Sequence, residues 1–165
     1  MNVESQVATV VGKTSDEFYT PLNAINMLLP YLPKYKLIWE AAWGKGHIAA
    51  VLQSRGFKVT GRAGLDFFHE DLKCDLIVTN PPYSMKNEFL QRAYELNKPF
   101  ALLLPADALV GLKRYPLYAK YGLQLLIPNR RIQYISADPA HKSANFNSAW
   151  FCWKLLPNDV RFASI

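Results

Sequence analysis

Short, continuous apolar runs alternate with helically spaced apolar positions along most of this chain, and the alternation is regular enough to predict its elements. Leu22, Ile25, Leu28 and Leu29 recur at helical spacing. They predict a helix from about Pro21 to Tyr31, with Thr20 as its cap, Pro21 at its first position and Pro30 and Pro33 closing it. Leu37 to Ala41 reads as a strand, and a glycine turn leads into a helix through Ile48-Ala49-Ala50-Val51-Leu52 that ends near Arg55, with Gly56 suited to a C-terminal cap. Phe57 to Thr60 and Asp75 to Thr79 are further strands, Glu88 to Leu96 is helical, and Phe100 to Leu104 is another apolar strand. Leu123 to Ile127 and Ala149 to Leu155 form a closing pair. Strand and helix in alternation imply an α/β fold with a mostly parallel sheet flanked by helices. Residues 1–14 are polar and weakly patterned, which predicts a loose arm ahead of a single domain over residues 15–165.

Two turns fall at carboxyl ends of strands, where open α/β sheets bind ligands. The first is Glu40-Ala41-Ala42-Trp43-Gly44-Lys45-Gly46, an acid followed by Gly-x-Gly between strand and helix. Glycine there suits close backbone approach to a nucleoside, although a charged strand end is also often simply solvated. The second is Asn80-Pro81-Pro82-Tyr83, directly after Leu76-Ile77-Val78-Thr79. Neither proline can donate a backbone hydrogen bond, each fixes its own φ, and the residue before a proline is biased to extended backbone. The product is a stiff corner presenting an amide side chain, backbone carbonyls and an aromatic ring in fixed order. That arrangement suits a planar amine, and it also suits a plain rigid turn.

Asn-Pro-Pro-Tyr in this setting resembles the catalytic loop of S-adenosylmethionine-dependent amino-methyltransferases, especially the small phage or mobile-element enzymes that methylate the N6 amine of adenine in DNA. Glu40 to Gly46 resembles that family's cofactor loop. Phe18-Tyr19-Thr20-Pro21 resembles the segment lining the methionine end of the cofactor, and Asp66-Phe67-Phe68 lies between the motifs in the expected order. The resemblance implies a single Rossmann-like class I methyltransferase domain whose last strand is antiparallel and inserted as a hairpin. It implies that Asn80 and Pro81 orient the amine, that Pro82 holds the corner and that Tyr83 stacks on the base. It assigns cofactor contacts to Phe18, Tyr19, Thr20, Pro21, Glu40, Gly44, Gly46, Asp66, Phe67 and Asn80. The chain departs from the pattern at Val59-Thr60-Gly61-Arg62, where arginine stands near the usual ribose-binding acid. The shortened interval leaves Asp66 to bind ribose or adenine, with Glu40 as another ribose contact.

Composition narrows the partners. In 165 residues, half of them hydrophobic and 19% charged, disorder is disfavoured. No apolar run reaches the roughly 18 residues of a membrane span. Cys74 and Cys152 suit buried thiols, and His47, His69 and His141 show no metal-ligand pairing, so a cytoplasmic, metal-free protein is expected. The formal charge of +6 is concentrated: residues 1–111 are balanced, whereas residues 112–142 carry Lys113, Arg114, Lys120, Arg130, Arg131 and Lys142 against Asp138 alone. Tyr115, Tyr118, Tyr121 and Tyr134 are interleaved with these bases. The segment reads as a nucleic-acid track, or as a solvated face whose tyrosines anchor it to the core. Residues 107–147 are the only long stretch available to touch a polymer, so no separate target-recognition domain is expected. RNA adenine and protein glutamine amide are alternative substrates, and a catalytically degenerate fold that binds nucleic acid or partners another subunit is the alternative to an enzyme.

Overall fold

A computed structural model describes residues 18–136 and 146–165. The proposed arm, Asp16, Glu17 and Lys142 lie outside these residues. The strands are β1 (Phe18–Tyr19), β2 (Leu37–Trp39), β3 (Lys58–Thr60), β4 (Leu76–Thr79), β5 (Phe100–Pro105), β6 (Gln124–Pro128), β7 (Ile135–Ser136), β8 (Ser148–Trp153) and β9 (Val160–Ala163). The helices are α1 (Leu22–Asn26), α2 (His47–Ser54), α3 (Lys86–Glu95) and α4 (Tyr115–Tyr121). Seven strands form one sheet in the order β3-β2-β4-β5-β8-β6-β9, and β1 pairs with β7 in a small second sheet. Neighbours in the large sheet run parallel except at β8, which is antiparallel to both β5 and β6.

Strand alternation sorts the apolar side chains into two layers. Leu76 and Val78 of β4, Ala101 and Leu103 of β5, and Trp150 and Cys152 of β8 face one side with Ile25, Leu28 and Leu52. Ile77, Phe100, Leu102, Phe151 and Trp153 face the other with Phe89 and Tyr94. Both faces are therefore covered, which is why β4, β5 and β8 read as unbroken apolar runs rather than alternating ones. The two buried indoles of β8 also fix the layers: Trp150 Nε1 donates to the Ala24 carbonyl at 2.8 Å and Trp153 Nε1 to the Tyr121 carbonyl at 2.8 Å. At the end of α2, Gly56 takes φ +86°, its amide donates to Gln53 O and that of Phe57 to Leu52 O. That is the glycine cap the sequence predicts.

The amino-terminal helix is shorter than its periodicity suggests. It ends at Asn26 and is followed by a 3₁₀ turn at Leu29–Tyr31. Thr20 is buried rather than capping, and Pro21 precedes the helix in extended backbone (φ −74°, ψ 157°) while its carbonyl accepts the amides of Ala24 and Ile25. The antiparallel strand is inserted as expected, but it is not the last in the chain: β9 follows it and runs parallel to β6 at the sheet edge.

Candidate active site

β2 and β4 are neighbours, with Ile38 opposite Leu76 and Trp39 opposite Ile77, so the turns that follow them lie side by side. Thr79 joins them. Its hydroxyl accepts the Ala42 amide at 2.8 Å and donates to Glu40 Oε1 at 3.5 Å. Glu40 is 2% exposed, so it is no solvated strand end. Burial pushes its carboxyl well above the usual 4.5, opposed by the nearby Ala49 amide in the first turn of α2 and by the Thr79 hydroxyl. Its second oxygen is buried without a partner. A buried acid in this state favours a cationic neighbour.

Asn80 is oriented by chemistry as well as by geometry. Its Nδ2 donates to the Phe18 carbonyl at 2.9 Å. A carbonyl can only accept, so the NH₂ end of the amide must face Phe18 and Oδ1 must face away. That Oδ1 is buried without a partner. The Pro81 carbonyl likewise accepts no hydrogen bond from the described residues, whereas that of Pro82 accepts the Met85 amide at 2.9 Å. Two acceptors therefore stand at the carboxyl end of β4 without donors.

The Phe-Tyr-Thr-Pro segment meets both turns. Phe18 reaches Asn80 through its carbonyl, and the Tyr19 ring stacks on His47 at 4.8 Å and 2°, with Lys45 Nζ 4.9 Å from its centroid. Beside the Asn-Pro-Pro-Tyr corner the rings of Phe18, Tyr83, Tyr134 and Phe146 pack together, with Tyr83 edge-on to Phe146 at 5.0 Å. The Tyr83 hydroxyl donates to that of Tyr134 at 2.7 Å. Burial raises both phenols, Tyr134 to about 12, so both stay neutral at physiological pH.

The remaining predicted residues are placed differently from one another. A Cβ at Gly44 (φ +51°) would meet Ala42 O at 4.0 Å, an ordinary contact, so no neighbour crowds this side of the turn. A Cβ at Gly46 would stand 3.0 Å from Trp43 Nε1, because the indole lies across that glycine. Phe67 is a core residue, its ring 5.2 Å from Trp39 and 4.8 Å from Phe89. Asp66 closes its own turn, accepting the Phe68 amide at 2.8 Å and meeting His69 Nδ1 at 2.7 Å. Slight burial raises its carboxyl, but these bonds outweigh it and hold the group below its usual value.

Arg114 is the main correction among the basic residues. It is 9% exposed, and its guanidinium donates to Ala108 O at 2.7 Å, Asn87 Oδ1 at 2.5 Å, Asp107 O at 3.1 Å and Val110 O. It holds the 3₁₀ turn Ala106–Leu109 and cannot also face a phosphate. Tyr118, Tyr121 and Tyr134 are likewise anchored to the body of the protein, by the Ala108 carbonyl, by stacking on Tyr94 and by Tyr83 respectively. Lys113, Lys120, Arg130, Arg131 and Tyr115 are exposed. Sequence reasoning passed over Thr79, the Phe18 carbonyl and Phe146. Thr79 alone had a local signal, as the hydroxyl residue that ends the strand next to Asn80.

No protein-family model matches the sequence, and no curated protein matches it. Solved structures do. A candidate RNA methyltransferase from Pyrococcus horikoshii is 16% identical, with a TM-score of 0.57 over 96% of this chain and 98% of that one. A candidate class I S-adenosylmethionine-dependent methyltransferase from Listeria monocytogenes is 13% identical, with a TM-score of 0.55 over 98% of this chain and 71% of that one. The chain thus has the class I, Rossmann-like methyltransferase fold. None of its described helices is long and apolar enough to cross a membrane.

Proposed function

We propose that the protein is an S-adenosylmethionine-dependent methyltransferase acting on the N6 amine of adenine in DNA, in the cytoplasm of its host, through one methyltransferase unit over residues 15–165. The observation that carries the reading is the Asn80 amide, fixed by Phe18 so that its Oδ1 is buried without a partner, next in sequence to a Pro81 carbonyl that accepts no hydrogen bond from the described residues. Two such acceptors match the two hydrogens of an exocyclic amine. They restrain that amine and draw its lone pair toward a methyl donor. Tyr83 offers a neutral ring for the base, and its raised phenol excludes it as a base catalyst near neutrality. These residues act by positioning rather than by proton transfer.

The site suits the cofactor. S-adenosylmethionine supplies an electrophilic methyl on a cationic sulfonium. The unpartnered Glu40 oxygen answers positive charge, and the open side of Gly44 admits a nucleoside close to the backbone. Tyr19 and Thr20 border the same turns, and Gly46, Asp66 and Phe67 contribute backbone or turn geometry. The exposed Lys113, Lys120, Arg130 and Arg131 are the cations available to phosphates.

A non-catalytic reading draws on the indole of Trp43 across Gly46 and on Asp66, whose oxygens are already engaged. Calorimetric titration with S-adenosylmethionine, followed by labelled-methyl transfer to unmethylated DNA, RNA and protein, separates the readings. Binding with transfer to DNA supports the proposal. Transfer to RNA alone changes the substrate, and no binding at millimolar cofactor leaves the non-catalytic reading.

A further inference from the structure

A second site lies outside this constellation. At the carboxyl ends of β5 and β6, a cavity of about 350 Å³ opens between Ala106 and Leu109 on one side and Pro128 to Arg131 on the other. Its volume falls at the small end of ligand pockets, roughly 300–1,000 Å³. The floor is apolar, formed by Leu125, Ile127, Ala149 and Phe151, while Arg130 and Arg131 stand at the mouth. Both arginines are exposed, and the only ion pair among the described residues is His69–Asp66, so neither has a carboxylate partner there. Arg131 is held by Nε, which donates to Asn147 Oδ1 at 3.2 Å.

The same two chain segments carry both this cavity and the aromatic cluster. Arg131 binds Asn147, while Tyr134 and Phe146 pack ring against ring at 5.7 Å. Strand alternation puts Ala149 and Phe151 on one face of β8, and Trp150 and Cys152 on the face that carries Tyr134. The cavity and the aromatic cluster thus lie on opposite sides of one rim. Counted across the sheet from β4 through β5 to β8 and β6, the cavity stands two to three strand spacings from Asn80, on the order of 10–15 Å.

Resting on the methyltransferase reading, we propose that this cavity is a subsite for a nucleotide flanking the target adenine, with its base on the apolar floor and its phosphate on Arg130 and Arg131. Charge placement favours a strand over a free nucleotide. Arg130 and Arg131 line the cavity and are also exposed to solvent, so a phosphodiester held by them can continue past the opening while one base enters it. An apolar floor takes the face of a base by contact rather than by hydrogen bonds to its edges, so it tolerates any base.

The test measures fluorescence anisotropy of a labelled six-nucleotide single strand with one adenine, as DNA and as RNA. An abasic residue on one side of the adenine is expected to weaken wild-type binding about tenfold, the scale of withdrawing roughly 50–60 Å² of apolar contact. Ala149→Leu, which fills the floor, is expected to weaken the intact strand by the same factor and to be indifferent to the abasic residue. Because that variant can misfold, Arg130→Ala/Arg131→Ala provides a second cycle, in which a neutral methylphosphonate beside the adenine costs wild type affinity but not the double variant. Equal abasic penalties in wild type and Ala149→Leu, or equal methylphosphonate penalties in the second cycle, overturn the proposal. So does tight binding of adenosine monophosphate that competes with the strand, because that marks a free-nucleotide site. Labelled-methyl transfer to the same strands keeps the two ideas apart: transfer without flank dependence removes the subsite alone, and flank dependence without transfer removes the enzyme reading alone.

Discussion

Replacing Asn80 with alanine deletes two things at once, and the structure allows their magnitudes to be separated. The first is the hydrogen bond from Nδ2 to the Phe18 carbonyl, which ties the Asn-Pro-Pro-Tyr corner to β1 across 62 positions of sequence. A partly buried neutral hydrogen bond contributes about 0.5–1.5 kcal/mol to stability. In a domain of this size that is a loss of roughly 2–6 °C in Tm. The second is Oδ1, which is buried without a partner and so costs the empty protein stability, and its removal offsets part of that loss. In turnover its removal is felt when an amine would donate to it, and loss of one such preorganised contact costs roughly a hundredfold or more. S-adenosylmethionine affinity should stay nearly intact, since Glu40 and the glycine turn are untouched. Single-turnover transfer of labelled methyl, isothermal titration with the cofactor and thermal melts on the same preparations supply the three numbers. Turnover unchanged from wild type, alongside the expected small drop in Tm, would show that Asn80 only braces a turn, and the assignment of the corner to an amine would fall.

Glu40→Gln should raise thermal stability at neutral pH and weaken S-adenosylmethionine binding. Burial raises the folded carboxyl above 4.5, so wild-type stability is greatest below that value and is lost as pH rises through the folded pKa; melts between about pH 4.5 and 8 should show this slope in wild type and not in the variant. Arg114→Ala should lower stability by about 2–3 kcal/mol, because it leaves buried carbonyls without donors, yet leave the salt dependence of nucleic-acid binding unchanged, whereas Lys113→Ala should flatten that dependence at little cost in Tm. Neither cysteine should react with a thiol reagent at pH 8 in the native protein, because burial lifts Cys74 to about 11 and Cys152 further; full labelling without denaturant would contradict the packing around them.

Much of the sheet was legible because both of its faces are covered. β4, β5 and β8 are unbroken apolar runs for that reason, and the glycine and Asn-Pro-Pro-Tyr turns punctuate them at the ligand-binding end. β1, β7 and β9 were not legible. They span two to four residues, and Val160 and Phe162 of β9 are exposed at an edge, so no apolar pattern announces them. α4 was hidden by its composition, since Tyr115, Lys120 and Tyr121 read as part of a basic track before their packing is known. Arg114 shows the limit of charge counting. Its acceptors come from a 3₁₀ turn and from α3, brought together only by the tertiary fold. Likewise, local pattern marked Asn80 and Phe18 as separate candidates, but nothing in it implied that one would orient the other.

The arrangement around Thr79 explains why the two turns should act as one device. Glu40 follows β2, Asn80 follows β4, and the Thr79 hydroxyl binds the Ala42 amide while donating to Glu40. The residue that steadies the buried acid is therefore the immediate neighbour of the amide proposed to face the amine. A cation that settles against the unpartnered Glu40 oxygen favours its ionised form, and an ionised Glu40 is the stronger acceptor for the Thr79 hydroxyl. On the proposed reading, cofactor charge would tighten the bridge at the base of the Asn-Pro-Pro-Tyr corner. Asn80 is clamped on its other side by Phe18, whose strand also carries Tyr19 onto the glycine turn. The amide is held by two elements, each in contact with the turn proposed to receive the cofactor, so its aim depends on the same contacts that hold the methyl donor. For a transfer that depends on alignment rather than on proton movement, that shared support is the chemically relevant property of the site.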